Sequence, residues 1–495
     1  MHNAPLYRAA GLRKLEAAAS DQPLMQRAGL AAADLACTLL RDSQLPLLIL
    51  AGPGNNGGDG FEAGMHLQRR FCDVRLVFVG DATRLPADAA AARQRFLDAG
   101  GHELKAIPEV ARWGLIIDAL FGIGLERTID GRYAELIAAA NALSACSACP
   151  LLALDCPSGL DAGTGTVRGS IIRASHTLTF IAGKPGLLTA DGPDHCGELQ
   201  TASLDLDAAA LVVPDGEVVA RDCFADLLRP RLRNSHKGSN GSAGILGGTA
   251  SMVGAAFLAG RAALQLGAGR VYLGLIAPEV PAFDILQPEL MLRSAPALLG
   301  TPLTALACGP GMGCDPAQVE LIEAAAARNL PLLLDADALN LLAGDGNLKI
   351  AVATRQAATL LTPHPAEAAR LLDCDVAAIQ IDRIAAACEI ATQFNAHVAL
   401  KGCGTVLATP DGRWRINTTG NPGMASAGMG DVLSGIVVAL LAQGWPAEVA
   451  LAAGVHLHGA AADLLAHEAG EIGLTASETI PAARHLLNQW VANDE

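Results

Sequence analysis

The sequence predicts an α/β protein of two domains, each built on a parallel sheet covered by helices. The chain has 495 residues, a length typical of two or three domains. Short apolar runs alternate with Ala-rich segments of helical period, as in helix-covered parallel sheets. This alternation stops between Leu206 and Arg233 and then starts again. We therefore expect one domain at residues 1–218 and a second at residues 228–495.

Composition and charge exclude several classes of protein. The formal net charge of −15 argues against a surface that binds nucleic acid or anionic membranes. The apolar run Val437–Ala442 is too short to span a bilayer, and the first residues lack the apolar core of a signal peptide. The twelve cysteines are scattered, so we interpret them as reduced thiols and the Cys146/Cys149 pair as a chance C-x-x-C. We expect a cytoplasmic protein, and assembly into a homo-oligomer is compatible with the sequence.

The first series of strands carries polar, glycine-rich segments at three strand ends. The predicted strands are LPLLILA, VRLVFVG, WGLIID, LLALD and HTLTFIAG. The polar segments are GPGNNGGDG (Gly52–Gly60), DALFGIGLERT (Asp118–Thr128) and DCPSGLD (Asp155–Asp161). In open parallel sheets ligands bind beyond the carboxyl ends of the strands. The three segments therefore predict a shared binding site.

The segment GPGNNGGDG contains a G-x-G-x-x-G match at Gly52, Gly54 and Gly57. A redox dinucleotide site is one interpretation, and Asp81 stands where a ribose-binding acid would be expected. The motif alone is weak evidence, because a redox loop presents bare backbone amides to the pyrophosphate. This loop adds the polar side chains of two asparagines and an aspartate, which favours a more polar ligand.

Together the three segments resemble the epimerase domain of the NAD(P)H-hydrate repair enzymes. The resemblance implies a Rossmann-like three-layer fold, interconversion of the two epimers of hydrated NADH or NADPH, and a bound K⁺. The implied potassium ligands are Asn56, Asp118 and Ser158. From its residue type and position, Asp155 is our candidate for the catalytic group that moves protons. The implied substrate contacts are Asn55, Asn56, Gly57, Gly58, Asp59, Gly122, Ile123, Gly124, Leu125, Glu126, Arg127, Thr128, Tyr133 and Asp155. Helix capping or turn formation is the structural alternative for Asp118 and Asp155.

A second α/β series follows the break. Its predicted strands are AGILGG, VYLGLI, LTALACG, LPLLLDA and AATLLTP, followed by HVALKGCGTVLATPDGRWRIN as a hairpin that turns at Asp411-Gly412. Two long helices, from about Asp431 to Ala442 and from about Ala447 to Ala469, are predicted to finish the chain.

The richest motif is TTGNPGMASAGMGDVLSG, Thr418–Gly435. A glycine-rich turn that enters a helix offers unpaired amides and the positive end of the helix dipole, which suit a phosphoryl group. Asp431, at the start of the helix, can take a proton from an attacking hydroxyl; an ordinary N-cap is the structural alternative. The chain has no G-x-x-x-x-G-K-[ST] motif, so this is not a P-loop.

The second half resembles the ribokinase-like superfamily and, more narrowly, the ADP/ATP-dependent NAD(P)H-hydrate dehydratases. The resemblance rests on Ser251–Gly269, Cys308–Gly313, Leu333–Ala343, Leu361–Leu371, Leu400–Val406 and the Thr418–Gly435 motif. The implied contacts with the hydrated nucleotide are Ala255, Gly311, His364 and Asp431, with Asp431 as the catalytic base. The implied contacts with ADP, which brings Mg²⁺, are Lys401, Gly402, Cys403, Gly404, Thr405 and Gly430. Met429 stands where the family carries threonine, and Ala366 where it carries glycine.

The two resemblances imply one bifunctional enzyme. It would epimerise hydrated NADH and NADPH and dehydrate the S form with ADP, releasing AMP and phosphate. Two alternatives stay open at this point: a ribokinase-like metabolite kinase with an accessory nucleotide-binding domain, and a non-catalytic nucleotide-binding scaffold.

Overall fold

The computed structural model describes residues 4–125, 127–279 and 282–493. The chain forms two compact units, Pro5–Gly216 and Glu217–Glu495, the latter together with Met1–Ala4. Both units are α/β, so the predicted fold class is confirmed. The twelve cysteines are free thiols.

The first unit has a doubly wound sheet. Its strands are β1 (Pro5–Leu6), β2 (Leu47–Ala51), β3 (Val74–Phe78), β4 (Glu103–Leu104), β5 (Leu115–Ala119), β6 (Leu151–Leu154), β7 (His176–Phe180) and β8 (Glu198–Ala202). β1 lies outside the sheet, and the other seven strands are all parallel in the order β4-β3-β2-β5-β6-β7-β8. The chain reverses its direction of winding between β2 and β5, and this switch point is where such sheets bind ligands.

Helices cover both faces of this sheet. They are α1 (Ala9–Ala18), α2 (Leu24–Leu39), α3 (Asn55–Arg69), α4 (Ala87–Asp98), α5 (Gly131–Ser147), α6 (Gly192–Cys196) and α7 (Ala208–Leu211). Alternate residues of β2 belong to two different cores: Leu47 and Ile49 pack in one, Leu48 and Leu50 in the other. Burial on both faces explains why these strands read as continuous apolar runs.

The second unit has a mixed sheet. Its strands are β9 (Gly216–Val218), β10 (Ser242–Gly247), β11 (Arg270–Leu275), β12 (Met291–Ser294), β13 (Ala305–Cys308), β14 (Leu332–Leu334), β15 (Thr359–Leu361), β16 (His397–Leu400), β17 (Thr405–Ala408) and β18 (Trp414–Asn417). They run in the order β9-β18-β17-β16-β15-β14-β13-β10-β11-β12. Pairing is antiparallel at β16–β17 and β17–β18, and parallel between the other neighbours.

The predicted hairpin is a three-stranded meander. The turn at Asp411-Gly412 is present, closed by a 3.0 Å hydrogen bond from Thr409 N to Arg413 O. A second turn, residues 401–404, separates β16 from β17. The prediction of a single hairpin was wrong because Lys401 to Gly404 interrupt the strand with two glycines of positive φ.

The helices of the second unit include the two that were predicted. They are α8 (Val253–Gln265), α9 (Ala295–Leu299), α10 (Pro316–Ala326), α11 (Asp337–Gly344), α12 (Gly346–Ala353), α13 (Pro365–Leu371), α14 (Val376–Ile381), α15 (Arg383–Phe394), α16 (Met429–Ala442), α17 (Ala447–Ala469) and α18 (Ala476–Asn493). The final helix, α18, was not predicted. By length and composition α17 could span a membrane, but 61% of its apolar window is buried within the protein, as in a core helix.

The later part of the segment between the two α/β series packs into the second unit. β9 pairs with β18, and the side chains of Val219, Phe224 and Leu228 are buried in the core that contains α16 and α17. The break in the sequence pattern, Leu206–Arg233, therefore spans the boundary between the units, and the second unit begins at Glu217.

Candidate active sites

A cleft of about 980 Å³ opens in the first unit at the switch point between β2 and β5. Its lining includes members of all three polar segments, so the structure brings these segments together as the sequence predicted. Of the predicted substrate contacts, those that line the cleft are Asn55, Asn56, Asp59, Gly122, Ile123, Gly124, Leu125, Arg127 and Asp155. Helices α1 and α2 form another wall, through residues that include Leu12, Glu16 and Met25.

Five predicted substrate contacts are not among the residues that line this cleft. Gly57 and Gly58 are buried in the first turn of α3, where a Cβ on Gly57 would overlap the Gly52 carbonyl oxygen. The Tyr133 hydroxyl donates to Val79 O at 3.1 Å, and its ring packs edge-on against Phe121. Thr128 is exposed, and Glu126 lies outside the described residues.

Of the predicted potassium ligands, Asn56 lines the cleft, whereas Asp118 and Ser158 are fully buried and are not among its lining residues. Asp118, the fourth residue of β5, is fully buried, and its Oδ1 accepts a 2.7 Å hydrogen bond from the Ser158 hydroxyl. Its Oδ2 accepts from Ser158 N at 2.8 Å. Burial raises the pKa of Asp118 to about 6, against the lowering effect of these hydrogen bonds. Both polar side-chain atoms of Asn56 are buried without a hydrogen-bond partner.

Asp155 follows β6 in a left-handed backbone conformation, with φ of 65°. Its Oδ1 lies 2.7 Å from the ammonium of Lys184, and its Oδ2 accepts a 3.3 Å hydrogen bond from Ile123 N. Across the same cleft, burial and then the charges of Asp155 and Glu16 raise the pKa of Asp59 well above its usual value. The site therefore combines carboxyl groups in contrasting environments, an arrangement suited to proton transfer.

In the second unit, Asp431 lies in the first turn of α16 but does not cap the helix. The N-cap position is Gly428, with φ of 89°, and no side chain hydrogen-bonds to the amides of this helix start. Burial and then the charge of Asp335 raise the pKa of Asp431 to about 6, and Lys401 opposes this shift. The structure therefore removes the N-cap alternative and leaves a carboxyl group with the properties of a general base.

A buried ion pair lies beside the start of α16. The ammonium of Lys401 lies 2.6 Å from Asp335 Oδ1, and the Ser434 hydroxyl donates to Asp335 Oδ2 at 2.7 Å. A Cβ built on Gly430 would lie 3.4 Å from the Lys401 ammonium. Two of the predicted nucleotide contacts, Lys401 and Gly430, are thus adjacent, and Asp335 joins them.

The turn of residues 401–404 is supported from below by Arg383. This buried guanidinium donates to Leu400 O at 3.1 Å and to Lys401 O at 3.2 Å. The Thr405 hydroxyl donates to Gly402 O at 3.1 Å, while Cys403 is exposed. Arg383 therefore holds the inner side of the turn in place, and the outer side of the turn faces solvent.

Two predicted contacts with the hydrated nucleotide, Ala255 and Gly311, are also neighbours. A Cβ built on Gly311 would lie 3.2 Å from the Cβ of Ala255. The adjoining Gly313 N donates to Asp337 Oδ2 at 2.8 Å, and the charge of Asp337 contributes to the raised pKa of Asp431. Asp337 therefore holds the backbone next to Gly311 and acts on Asp431 through its charge.

His364 caps a helix. Its Nδ1 accepts from Ala366 N at 3.1 Å, and its backbone amide donates to Glu367 Oε2 at 2.8 Å, which completes a capping box at the start of α13. Its Nε2 lies 3.1 Å from Glu367 Oε1, and the imidazole is 48% exposed. Because Nδ1 acts as an acceptor, Nε2 carries the proton of the neutral ring. Any contact with substrate therefore comes in addition to a structural role.

Met429, which stands where the family carries threonine, is a buried packing residue. Its side chain is 6% exposed and packs in the core with Val432 and Leu433. Gly435, one and a half turns further along α16, lies so close to α8 that a Cβ would overlap the Ala259 carbonyl oxygen. The start of α16 is therefore anchored by packing on both sides of Asp431.

Comparisons with known proteins agree with this division of the chain. A family model for the YjeF-related protein N-terminus matches residues 21–186, and one for NAD(P)H-hydrate dehydratase matches residues 243–482. The bifunctional NAD(P)H-hydrate repair enzyme Nnr of Escherichia coli is 38% identical over 482 residues, 95% of this chain and 90% of the relative. The chain belongs to the family of bifunctional NAD(P)H-hydrate repair enzymes.

Other members of the repair-enzyme family are similarly related. The Nnr enzyme of Vibrio cholerae is 39% identical over 479 residues, 94% of this chain and 93% of the relative. A crystal structure of the ADP/ATP-dependent NAD(P)H-hydrate dehydratase from Bacillus subtilis, co-crystallised with ATP/Mg²⁺, is 29% identical with a TM-score of 0.49. It covers 55% of this chain, and this chain covers 98% of it.

Three charged residues of this repair-enzyme chain were assigned no role from the sequence: Lys184, Asp335 and Glu16. Lys184 follows β7 and Asp335 follows β14, so the rule that ligands bind at strand ends could have identified both. Glu16 lies on α1, where no motif marks it.

Proposed function

We propose that the chain repairs hydrated NADH and NADPH. The first unit interconverts the R and S epimers, and the second dehydrates the S epimer with ADP, releasing AMP and phosphate. Family membership supports both activities. The observation that carries the proposal is the arrangement at the start of α16, where Asp431 and Gly430 stand beside the Lys401–Asp335 ion pair.

Epimerisation requires exchange at C6 of the hydrated ring, which bears a hydroxyl next to the ring nitrogen. Asp155, in its protonated form, gives its proton to the C6 hydroxyl, and the nitrogen lone pair expels that oxygen as water. This leaves an iminium and an ionised Asp155, and a second water attacks the iminium from the other face. Asp155 accepts the proton of the attacking water as the new C–O bond forms. The Asp155 carboxylate accepts a hydrogen bond from Ile123 N and therefore lies next to the loop that lines the cleft.

A potassium ion would fit the donor set of Asn56, Asp118 and Ser158. The buried Asn56 amide lacks a hydrogen-bond partner, and within the described residues no Lys, Arg or His lies within 4.0 Å of the buried Asp118 carboxylate. Together with the Ser158 hydroxyl these groups offer only oxygen ligands from the side chains, which suit a hard cation. Potassium bound here would supply the missing positive charge and tie the three cleft segments together.

Dehydration begins at the second site. Asp431 takes the proton of the C6 hydroxyl, whose oxygen attacks the terminal phosphoryl group of ADP, and AMP leaves. The ring nitrogen then expels the phosphorylated oxygen as phosphate, and loss of the C5 proton restores NADH or NADPH. Lys401 and the Gly430 amide face the phosphoryl group, and Gly402, Cys403, Gly404 and Thr405 hold the rest of the nucleotide. Mg²⁺ carried by the nucleotide offsets phosphate charge.

The metal is expected to arrive with the nucleotide. Among residues 4–125, 127–279 and 282–493, no group of three His, Cys, Asp or Glu side chains is arranged to hold a metal ion. Mg²⁺ commonly uses one or two carboxylates plus substrate phosphates, so a pre-built cage is not required. The proposed partners are small molecules alone, in a cytoplasmic enzyme that binds neither nucleic acid nor membranes.

The test is to incubate the chain with separated epimers of hydrated NADH and follow the near-ultraviolet absorbance of NADH. With ADP present, both epimers should yield NADH, and ATP should be compared in parallel. A metabolite kinase would accumulate a stable phosphorylated product and leave the absorbance flat. A binding scaffold would leave both absorbance and epimer ratio unchanged, and either result would contradict the proposal.

A further inference from the structure

Lys184 is a buried lysine at the edge of the first cleft. It follows β7, lines the cleft, and its side chain is only 1% exposed. A buried ammonium is costly unless it is paired and hydrogen-bonded. Here its partner is the Asp155 carboxylate, with 2.7 Å between Nζ and Oδ1.

Two further acceptors fix the ammonium in place. Lys184 Nζ donates to the Thr179 hydroxyl at 2.6 Å and to Phe180 O at 3.2 Å. With Asp155 this makes three acceptors for the three protons of an ammonium group. Both additional acceptors belong to β7, a buried strand, so the ammonium is held by the sheet itself.

This ammonium in turn determines where Asp155 points. With Oδ1 held by Lys184, Oδ2 is directed to the loop at Gly122 and Ile123, where it accepts from Ile123 N. A Cβ built on Gly122 would lie 2.7 Å from Oδ2, so the loop passes directly over that oxygen. Asp155 also has a positive φ, a conformation that surrounding contacts must maintain.

Lys184 also balances charge. The carboxyl groups whose charges act on one another around Asp155 are Asp59 of α3 and Glu16 of α1, and Lys184 opposes their repulsion. Asp88 and three arginines, Arg13, Arg95 and Arg127, also line the cleft, and Lys184 is in direct contact with Asp155.

We infer that Lys184 is a positioning residue of the epimerase: it holds the Asp155 carboxylate by Oδ1, so that Oδ2 faces the substrate loop. The inference rests on the proposed epimerase function. In the step itself, a proton passes from the attacking water to Asp155 as oxygen bonds to C6, and Lys184 keeps its three protons throughout.

The first experiment replaces Lys184 by methionine in the full chain and measures conversion of one purified epimer by chromatography. We expect kcat to fall about 10- to 100-fold with KM nearly unchanged, because a misplaced base costs on this order. Dehydration of the S epimer in the same preparation reports on the other unit and should stay at the wild-type rate. Lys14→Met, at an exposed lysine of α1, is the matched control and should keep full epimerase activity.

A double-mutant cycle separates positioning from general support of the fold. In an Asp155→Asn background, Lys184→Met should cost less than about twofold, since its partner is already disabled. The double variant also avoids leaving one buried charge unpaired, so it remains informative if Lys184→Met alone unfolds the first unit. An equal loss of kcat in both backgrounds, or none in the wild-type background, would overturn the inference. Absence of epimerase activity in the wild-type chain would instead overturn the proposed function.

Discussion

Asp335 accepts hydrogen bonds from both Lys401 and Ser434, at 2.6 and 2.7 Å, and so joins the ends of β14 and β16 to the second turn of α16. Its charge also contributes to the raised pKa of Asp431 beside it. This carboxylate therefore holds Lys401, the proposed phosphate-binding lysine, and raises the pKa of the proposed base at the same time.

Asp335→Asn should lower dehydratase kcat/KM for ADP by about 10- to 100-fold, because Lys401 loses its charged partner. The pH profile should change as well. Asp431 must be ionised to act, so wild-type kcat should rise with pH through about 6. Removing the Asp335 charge lowers the pKa of Asp431, and the acid limb should move to lower pH. A variant with an unshifted acid limb would contradict this coupling.

Asp431→Asn should abolish dehydration and leave epimerisation intact. The substitution removes the base while the helix start, capped at Gly428, does not depend on this side chain. Loss of a general base typically costs ~10²–10⁴ in rate. Dehydration of the S epimer is the measurement, with epimer exchange in the same sample as the control. Activity within about tenfold of wild type would exclude the assigned role.

Epimerisation should depend on potassium through Asp118. Asp118→Ala should weaken epimer exchange while sparing dehydration, because it removes the charged member of the proposed ligand set. The wild-type rate should rise when potassium replaces tetramethylammonium at constant ionic strength. Rates indifferent to this exchange would count against a bound potassium ion.

The two units should fold when expressed separately, provided that the chain is divided between residues 216 and 217, which leaves the core of the second unit intact. We expect residues 1–216 to epimerise and residues 217–495 to dehydrate. A fragment of residues 228–495 lacks β9 together with Val219 and Phe224, and should melt at a lower temperature than residues 217–495. Equal melting temperatures for fragments 217–495 and 228–495 would show that residues 217–227 contribute little to the stability of the second unit.

Two histidines of α17, the half-buried His456 and the buried His458, should make the second unit sensitive to acid. Burial lowers the pKa of His456 and of His458 to about 4, whereas unfolded histidine titrates near 6.5. Between these values the unfolded chain binds more protons, so their contribution to stability is complete above 6.5 and is lost as pH falls toward 4. Thermal melts should show a smaller loss over this range in His458→Gln than in wild type. Parallel pH dependence in the two proteins would contradict the assignment.

The sequence predicted that the three polar segments of the first unit lie together because strand ends are local signals. The apolar runs before Gly52, Asp118 and Asp155 specify parallel strands, and parallel strands bring their ends to one edge of the sheet. Pairings between distant residues carry no such signal: Lys401 and Asp335 are 66 positions apart and meet only through the sheet order.

Three further features that the sequence analysis missed have a physical explanation. The start of α18 is marked by Thr475 and Glu478, whose side chains form a 2.6 Å hydrogen bond, and T-x-x-E is a capping-box pattern that could have predicted this helix. The turn at residues 401–404 was absorbed into a longer strand because its flanks are uniformly apolar. His364 was given a substrate contact, and its part in capping α13 becomes visible only with the backbone in place.

The junction between Gly216 and Glu217 joins two self-contained units in one polypeptide. Every molecule synthesised therefore delivers the two sites in equal number, whatever the level of expression. The balance between supplying the S epimer and consuming it then depends on the rate constants of the two halves. Mutation, or the supply of nucleotide and ions, can change this balance. Transcription cannot, because it changes the amounts of both sites together.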